Sequence, residues 1–354
     1  MIDFREYLND GTYDFPKLDT NEMTVVHNSF SEERKFVHDT MMCVYNGKIY
    51  MAWYSCPKDE IADDTMIVGK SSSDNGMSWS EPFIIAKNDG RRGEVRHYVP
   101  VSFAIDQGTL YAIVSEMTQH DRPVCTALYR MENKNGTESW ECVTHIVSEE
   151  DNISLIVNNN VIPLPNGGYI TSGRYYPEKN RYPDRPCIVM SADGDITKWK
   201  ILPLSKEALG TCPETSVTVS ADGKWIAVTR NSVGERSVFF ISEDLGATWI
   251  RMENNIPAVA SKLYLYTLSN GKTLVVFNCA CDGKRRNHLC LGVLNTQNMQ
   301  LESVRTVALG MSELGDLYHY PCVVENLGTV FISCTVNNGR IRSAAVFRMD
   351  ISAI

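Results

Sequence analysis

A short turn signature that recurs along the chain constrains its fold more than any other feature. Ser242 to Trp249 reads Ser-Glu-Asp-Leu-Gly-Ala-Thr-Trp. Its aspartate can accept turn N–H groups, its glycine suits a backbone angle that other residues avoid, and its tryptophan returns a large apolar face to a sheet. Ser72 to Trp79 (Ser-Ser-Asp-Asn-Gly-Met-Ser-Trp) repeats the pattern without a mismatch. Ser191 to Asp195, followed by Trp199, is a looser third copy, and Asn133 to Trp140 an eroded fourth. Recurrence at this spacing predicts a repeat architecture.

The period comes from the turns between apolar strands. Tight Asn/Asp/Gly turns centre on Gly47, Gly108, Gly168, Gly223, Gly271 and Gly328, at intervals of 61, 60, 55, 48 and 57 residues. That suits four-stranded propeller blades with loop insertions. Runs such as Met41 to Tyr45, Lys48 to Trp53 and Trp225 to Val228 are short and β-prone, with almost no helical periodicity between them. The sixth unit ends at Ile354 after about three strands, so the early run Thr24 to Asn28 is expected to supply its fourth and remove the open edges. The prediction is an all-β chain: one six-bladed β-propeller domain over residues 1–354, closed by an N-terminal strand.

Charge narrows the partners. With 34 basic and 43 acidic residues the formal charge is −9, which argues against nucleic acid and anionic membrane surfaces. Residues 1–10 have no basic and apolar leader, and no segment approaches a membrane span, so a cytoplasmic location is expected. The eleven cysteines lack the close regular spacing of a disulfide framework and are expected to be reduced thiols. Cys279, Cys281 and Cys290 lack a second close pair or a matched histidine, so no metal and no other cofactor is expected.

In a propeller the innermost strands begin at one end of a central channel. Counting nine residues back from each turn glycine gives His38, Val99, Asn159, Glu214, Lys262 and His319. Five of the six are polar, and Val99 follows Arg96, His97 and Tyr98. Polar groups ringing an apolar barrel suit a pocket for a polar ligand. The second strand of the fourth unit returns Arg230 to the same end, Tyr320 opens the sixth unit, and Arg285 and Arg286 precede the strand from His288. A glutamate, a tyrosine and arginines are thus expected to converge, and His120-Asp121-Arg122 is a candidate rim contact.

At this point the chain resembles the sialidase superfamily, whose Asp-box turns have the Ser-x-Asp-x-Gly-x-x-Trp form found at Ser72 to Trp79 and Ser242 to Trp249. Glu214 to Val219, continuing through Asp222-Gly223 to Arg230, is similar to the sialidase segment with a catalytic glutamate and a carboxylate-binding arginine. Arg286 to Leu289 resembles the site of another such arginine, with Arg285 as its rival, and Tyr320 to Val324 the strand of the nucleophilic tyrosine. The resemblance implies hydrolysis of a small glycan ending in an acidic sugar. Arginine forks would bind its carboxylate, and Tyr320, deprotonated by Glu214, would avoid the repulsion an anionic nucleophile meets. The general acid would follow the first blade's second strand, where Asp63 and Asp64 lie, ahead of Asp59 and Glu60.

One departure opens a second reading. Sialidases begin their first blade with Arg-Ile-Pro, whereas this chain has Phe36-Val37-His38-Asp39-Thr40. His38 brings a base that titrates near neutrality, as propeller lyases use. In that reading His38 or His97 takes the C5 proton of a uronate and Tyr320 protonates the leaving oxygen. A propeller that binds a glycan or protein partner without turnover is the third.

Overall fold

In the computed structural model, the residues described are 2–354 except 20–22, 30–32, 61, 63, 89–94, 120–121, 135–136, 180, 192, 208, 311–315 and 340. Six antiparallel sheets form six propeller blades. The first runs Phe36–Tyr45, Lys48–Cys56, Met66–Ser72 and Phe83–Ala86, from the channel outward. The sixth runs Leu317–Asn326, Thr329–Asn337 and Arg342–Asp350, and its outermost strand is Thr24–Asn28 from the other end of the chain. The inner strand of the sixth blade packs on that of the first, so the ring closes as expected.

The inner turns show why these sequences bend where they do. Asn46-Gly47, Gln107-Gly108 and Leu327-Gly328 each place two successive residues at positive φ, the twist that suits a two-residue hairpin. In the third blade the residue at positive φ is Gly167, one position before the expected Gly168.

The Asp boxes join third to fourth strands. Asp244 accepts from Ser242 Oγ at 2.8 Å, Thr248 N at 2.8 Å and Thr248 Oγ1 at 2.6 Å, while Gly246 N donates to Ser242 Oγ at 2.8 Å. Asp74 closes the Ser72 box with the same contacts. Gly246 sits at φ 86°, and a Cβ there would lie 2.5 Å from the Trp225 ring, so only glycine lets the turn lie against this aromatic. The third copy is rebuilt around Asp195, which accepts from Thr197 N and Oγ1. The eroded fourth is no box: around it the second blade's outer strands Arg122–Lys134 and Thr137–Val147 form a long hairpin.

Apolar faces between the blades supply the core, with Trp53, Trp225, Phe103 and Phe331 among the largest fully buried side chains. All eleven cysteines are free thiols. No helix among the described residues is long and apolar enough to cross a membrane.

Candidate active site

Bulges in the inner strands aim the side chains at one end of the channel. Strand pairing skips Asp39-Thr40 in the first blade, Val99-Pro100 in the second and Tyr320-Pro321 in the sixth. Asp39 and Tyr320 both sit at φ 53°, a conformation uncommon for aspartate and strained for a ring as large as tyrosine's. The bulges turn these two side chains into a cavity of about 210 Å³, which His38, Glu60, Glu214, Arg230 and Arg286 also line.

Three of these groups form one hydrogen-bonded unit. Tyr320 Oη donates to Glu214 Oε1 at 2.6 Å. Arg230 Nη1 donates to Glu214 Oε2 at 2.9 Å and to Tyr320 Oη at 3.3 Å. Burial pushes the Glu214 carboxyl upward, but Arg230, Arg174 and the hydrogen bonds from Tyr320 and Arg230 outweigh it and hold the group below its ordinary range. Burial, then Glu214, drives the Tyr320 phenol well above its ordinary value. At neutral pH the unit is therefore a protonated phenol bonded to a carboxylate, which is the starting state for proton transfer from tyrosine to glutamate.

A further layer surrounds this unit. Lys262 Nζ and Asp39 Oδ1 form a buried ion pair, and the Lys262 nitrogen lies 5.1 Å from the Tyr320 ring centroid. The Arg286 guanidinium lies 5.3 Å from the same centroid, donates to Ala260 O at 2.5 Å and meets His319 Nδ1 at 2.9 Å. His38 stacks on Tyr320 with centroids 4.6 Å apart, and its Nδ1 is buried without a hydrogen-bond partner. Burial, followed by His319, Arg342, Arg286 and Lys262, keeps the His38 imidazole neutral well below its ordinary pKa.

The BNR repeat-like domain family matches residues 47–332. The chain belongs to that family. The solved structures agree on the fold of this BNR repeat-like domain protein. A Dyadobacter fermentans protein described as of unknown function superposes with a TM-score of 0.72 at 14% identity, covering 95% of this chain and 100% of its own. Trypanosoma rangeli sialidase in complex with sialic acid gives 0.71 at 16%, covering 94% of this chain but 59% of the sialidase. The NanB sialidase of Streptococcus pneumoniae gives 0.69 at 11%, with 94% and 71% covered. No curated protein matches the sequence.

Other residues singled out in the sequence lie elsewhere in the BNR repeat-like domain. Asp64 is exposed and its carboxylate pairs with Arg34 at 2.8 Å, outside the cavity lining. Asp63, His120 and Asp121 lie outside the described residues. Arg285 is on the surface beside Asp282, so Arg286 is the arginine that enters the cavity. Arg96 pairs with Glu149 at 3.0 Å, and His97 Nδ1 lies 3.1 Å from Ala62 O. Asn159 donates to Asn160 O and Val217 O further down the channel. Counting back from the turns marks the strand starts but not the bulges, which bring Asp39 and Pro100 to the cavity beside His38 and Val99, and Tyr320 in place of His319.

The sequence gives no signal for Arg174 or Arg342, and its pattern places Glu60 behind Asp63 and Asp64. Arg174, on the third blade, pairs with the fully buried Asp184 at 2.6 Å and lines the cavity. The Arg342 guanidinium lies 3.9 Å from the Phe36 ring centroid, where burial lowers its pKa and Glu60 partly offsets this. Glu60 lines the cavity and accepts from Tyr54 Oη at 2.8 Å. Apart from its place in the acidic loop, no pattern in the sequence singles Glu60 out.

The buried histidines predict a pH dependence of stability. Burial, then Arg286 and Arg342, lowers the His319 pKa to about 3. Below the ordinary value of 6.5 the unfolded chain takes up this proton and the folded chain does not, so stability falls as pH drops from 6.5 toward about 3. His319 contributes a slope of about 1.4 kcal/mol per pH unit across that window. His319→Gln should flatten the decline in a series of denaturant melts by about one proton; an unchanged slope would show that His319 is solvated.

Proposed function

We propose that the protein is a retaining exo-glycosidase of the sialidase type, acting on a terminal sugar that carries a carboxylate. The observation that carries this reading is the 2.6 Å contact of Tyr320 Oη with Glu214 Oε1 in a cavity also lined by Arg230 and Arg286. The arginines bind the substrate carboxylate with charge-assisted hydrogen bonds. Glu214 takes the phenolic proton as Tyr320 Oη attacks the anomeric carbon. The departing glycosidic oxygen takes a proton from an acid on the loop after the first blade's second strand. Among the described residues of that loop, Glu60 is the carboxyl that lines the cavity, and Asp63, outside them, stays a candidate. That acid, now ionised, activates water to attack the tyrosyl-bound sugar, and Tyr320 leaves with its proton returned from Glu214.

A specific observation favours a second reading. His38 is a neutral base with a buried, unpartnered Nδ1, stacked on the tyrosine that would protonate a leaving oxygen. This suits β-elimination at a uronate.

Incubation with fluorogenic sialosides and uronate-bearing oligosaccharides separates the two. Fluorophore release without new ultraviolet absorbance supports hydrolysis. Absorbance from an unsaturated uronate moves the base to His38, and silence on both channels across the panel counts against turnover of an acidic glycan.

A further inference from the structure

Away from the channel mouth, the second blade brings together three side chains whose donor atoms could together hold a metal ion. Cys125 and Glu116 are directly opposed on the strands Arg122–Lys134 and Thr109–Gln119, so they share one face of the sheet. His145 comes from the outermost strand, Thr137–Val147. There Thr126 pairs with Val147 and Ala127 with His145, so Ile146 is an extra residue. That bulge puts His145 opposite Ala127, on the face that Cys125 also uses. One ligand atom from each of Glu116, Cys125 and His145 lies within 4.8 Å of the other two.

Burial and chemistry make this more than proximity. Cys125 is 1% exposed and Glu116 3%. His145 Nε2 is shut off from solvent and has no hydrogen-bond partner, an unfavourable state for an imidazole nitrogen. A thiolate, an imidazole and a carboxylate form the ligand set of zinc, whereas calcium and magnesium call for oxygen ligands. Bonds of about 2.0–2.3 Å in a tetrahedron separate ligand atoms by roughly 3.3–3.8 Å, so modest side-chain closure suffices. Spacing along the chain gives no hint, because the ligands lie 9 and 20 residues apart on three different strands.

We infer that Glu116, Cys125 and His145 form a zinc site that pins three strands of the second blade, with water as the fourth ligand. Its place beside the catalytic wall gives it a role: Met117, the next residue after Glu116, lines the candidate active-site cavity, as do Val99 and Pro100 on the neighbouring inner strand. The metal holds that wall from behind and takes no part in the reaction. On binding, the Cys125 thiol gives its proton to solvent and its sulfur lone pair to the metal.

The test uses the full chain, stripped with a chelator and titrated with Co²⁺ as a coloured stand-in, followed by Zn²⁺ in competition. The expected result is one saturable equivalent with a thiolate-to-cobalt charge-transfer band that zinc abolishes. Cys125→Ser should lose the band. His145→Gln should weaken binding by more than about 100-fold, since losing even an outer partner of a metal ligand costs 10–100-fold. Cys142→Ser and Cys281→Ser, at the two exposed thiols, should leave the band unchanged. No saturable binding by the parent protein, a band that persists in Cys125→Ser or one that disappears in Cys281→Ser would overturn the site. If Cys125→Ser does not fold, His145→Gln decides alone: unchanged affinity refutes the inference, and a loss of both affinity and zinc-induced thermal stabilisation supports it.

Discussion

Tyr320→Phe should lower kcat on any sialoside that the parent protein turns over by at least about 10³-fold, with little change in fold. The substitution deletes one oxygen and keeps the ring that stacks on His38 at 4.6 Å. Glu214→Gln should cost about 10²–10⁴-fold, because an amide cannot take the phenolic proton during attack. The pair also separates the two chemistries. In hydrolysis both residues are required and His38 is a neighbour. In β-elimination Tyr320 is still required as the acid, but His38→Gln becomes the most damaging change and Glu214→Gln a lesser one. Activity measured on the single variants distinguishes these patterns, and turnover that survives both Tyr320→Phe and Glu214→Gln unchanged would remove both residues from the mechanism. For hydrolysis the acid limb should follow Glu214, whose carboxyl stays ionised below the ordinary carboxylate range. Base function is therefore present at neutral pH and lost only as pH falls through that lowered value.

Lys262→Met should be the most destabilising single change near the site. Lys262 is 0% exposed and pairs with Asp39, which is 3% exposed at the cavity wall, so its removal leaves a buried carboxyl without its cation. Losing one partner of a buried pair costs about 3–5 kcal/mol. For a chain of this length that corresponds to a fall in thermal midpoint of roughly 4–7 °C. Burial already raises the Asp39 pKa despite Lys262, and without the lysine it rises further. The sign follows: the folded variant takes up a proton more readily than the unfolded chain, so its deficit shrinks as pH falls. Asp39→Asn combined with Lys262→Met should restore most of the loss, because the pair leaves together and asparagine tolerates the φ of 53° at this position. Equal stability of the single and double variants would mean that the pair is solvated in the native protein.

Both predictions concern the same few residues, and they explain a tension in the site. Tyr320 sits in a strained backbone conformation with two cations against its ring and a carboxylate on its hydroxyl. Such an arrangement persists only where the surrounding structure holds it. Lys262 with Asp39, and Arg286 with His319 and Ala260 O, are the contacts that do so here.

What the sequence determined by itself is the ring. The Asp-box pattern, turn glycines at near-regular intervals and alternating apolar strands are local signals, each set by backbone angles and by the need to bury one face. They were enough for six blades and for the closing strand at Thr24–Asn28. The convergence of Glu214, Arg230, Arg286 and Tyr320 on one cavity is also legible, because strand starts and returns in a propeller meet at one end of the channel. The tertiary structure decided which neighbours complete the site. Bulges bring Asp39, Pro100 and Tyr320 to the cavity in three blades, Arg174 enters from the third blade with no sequence pattern marking that residue, and Asp64 turns out to Arg34 while Glu60 turns in. The physical reason is that turns and strand periodicity are properties of adjacent residues, whereas a bulge, a buried ion pair or a three-strand ligand set depends on pairing register and on charges brought together across the ring.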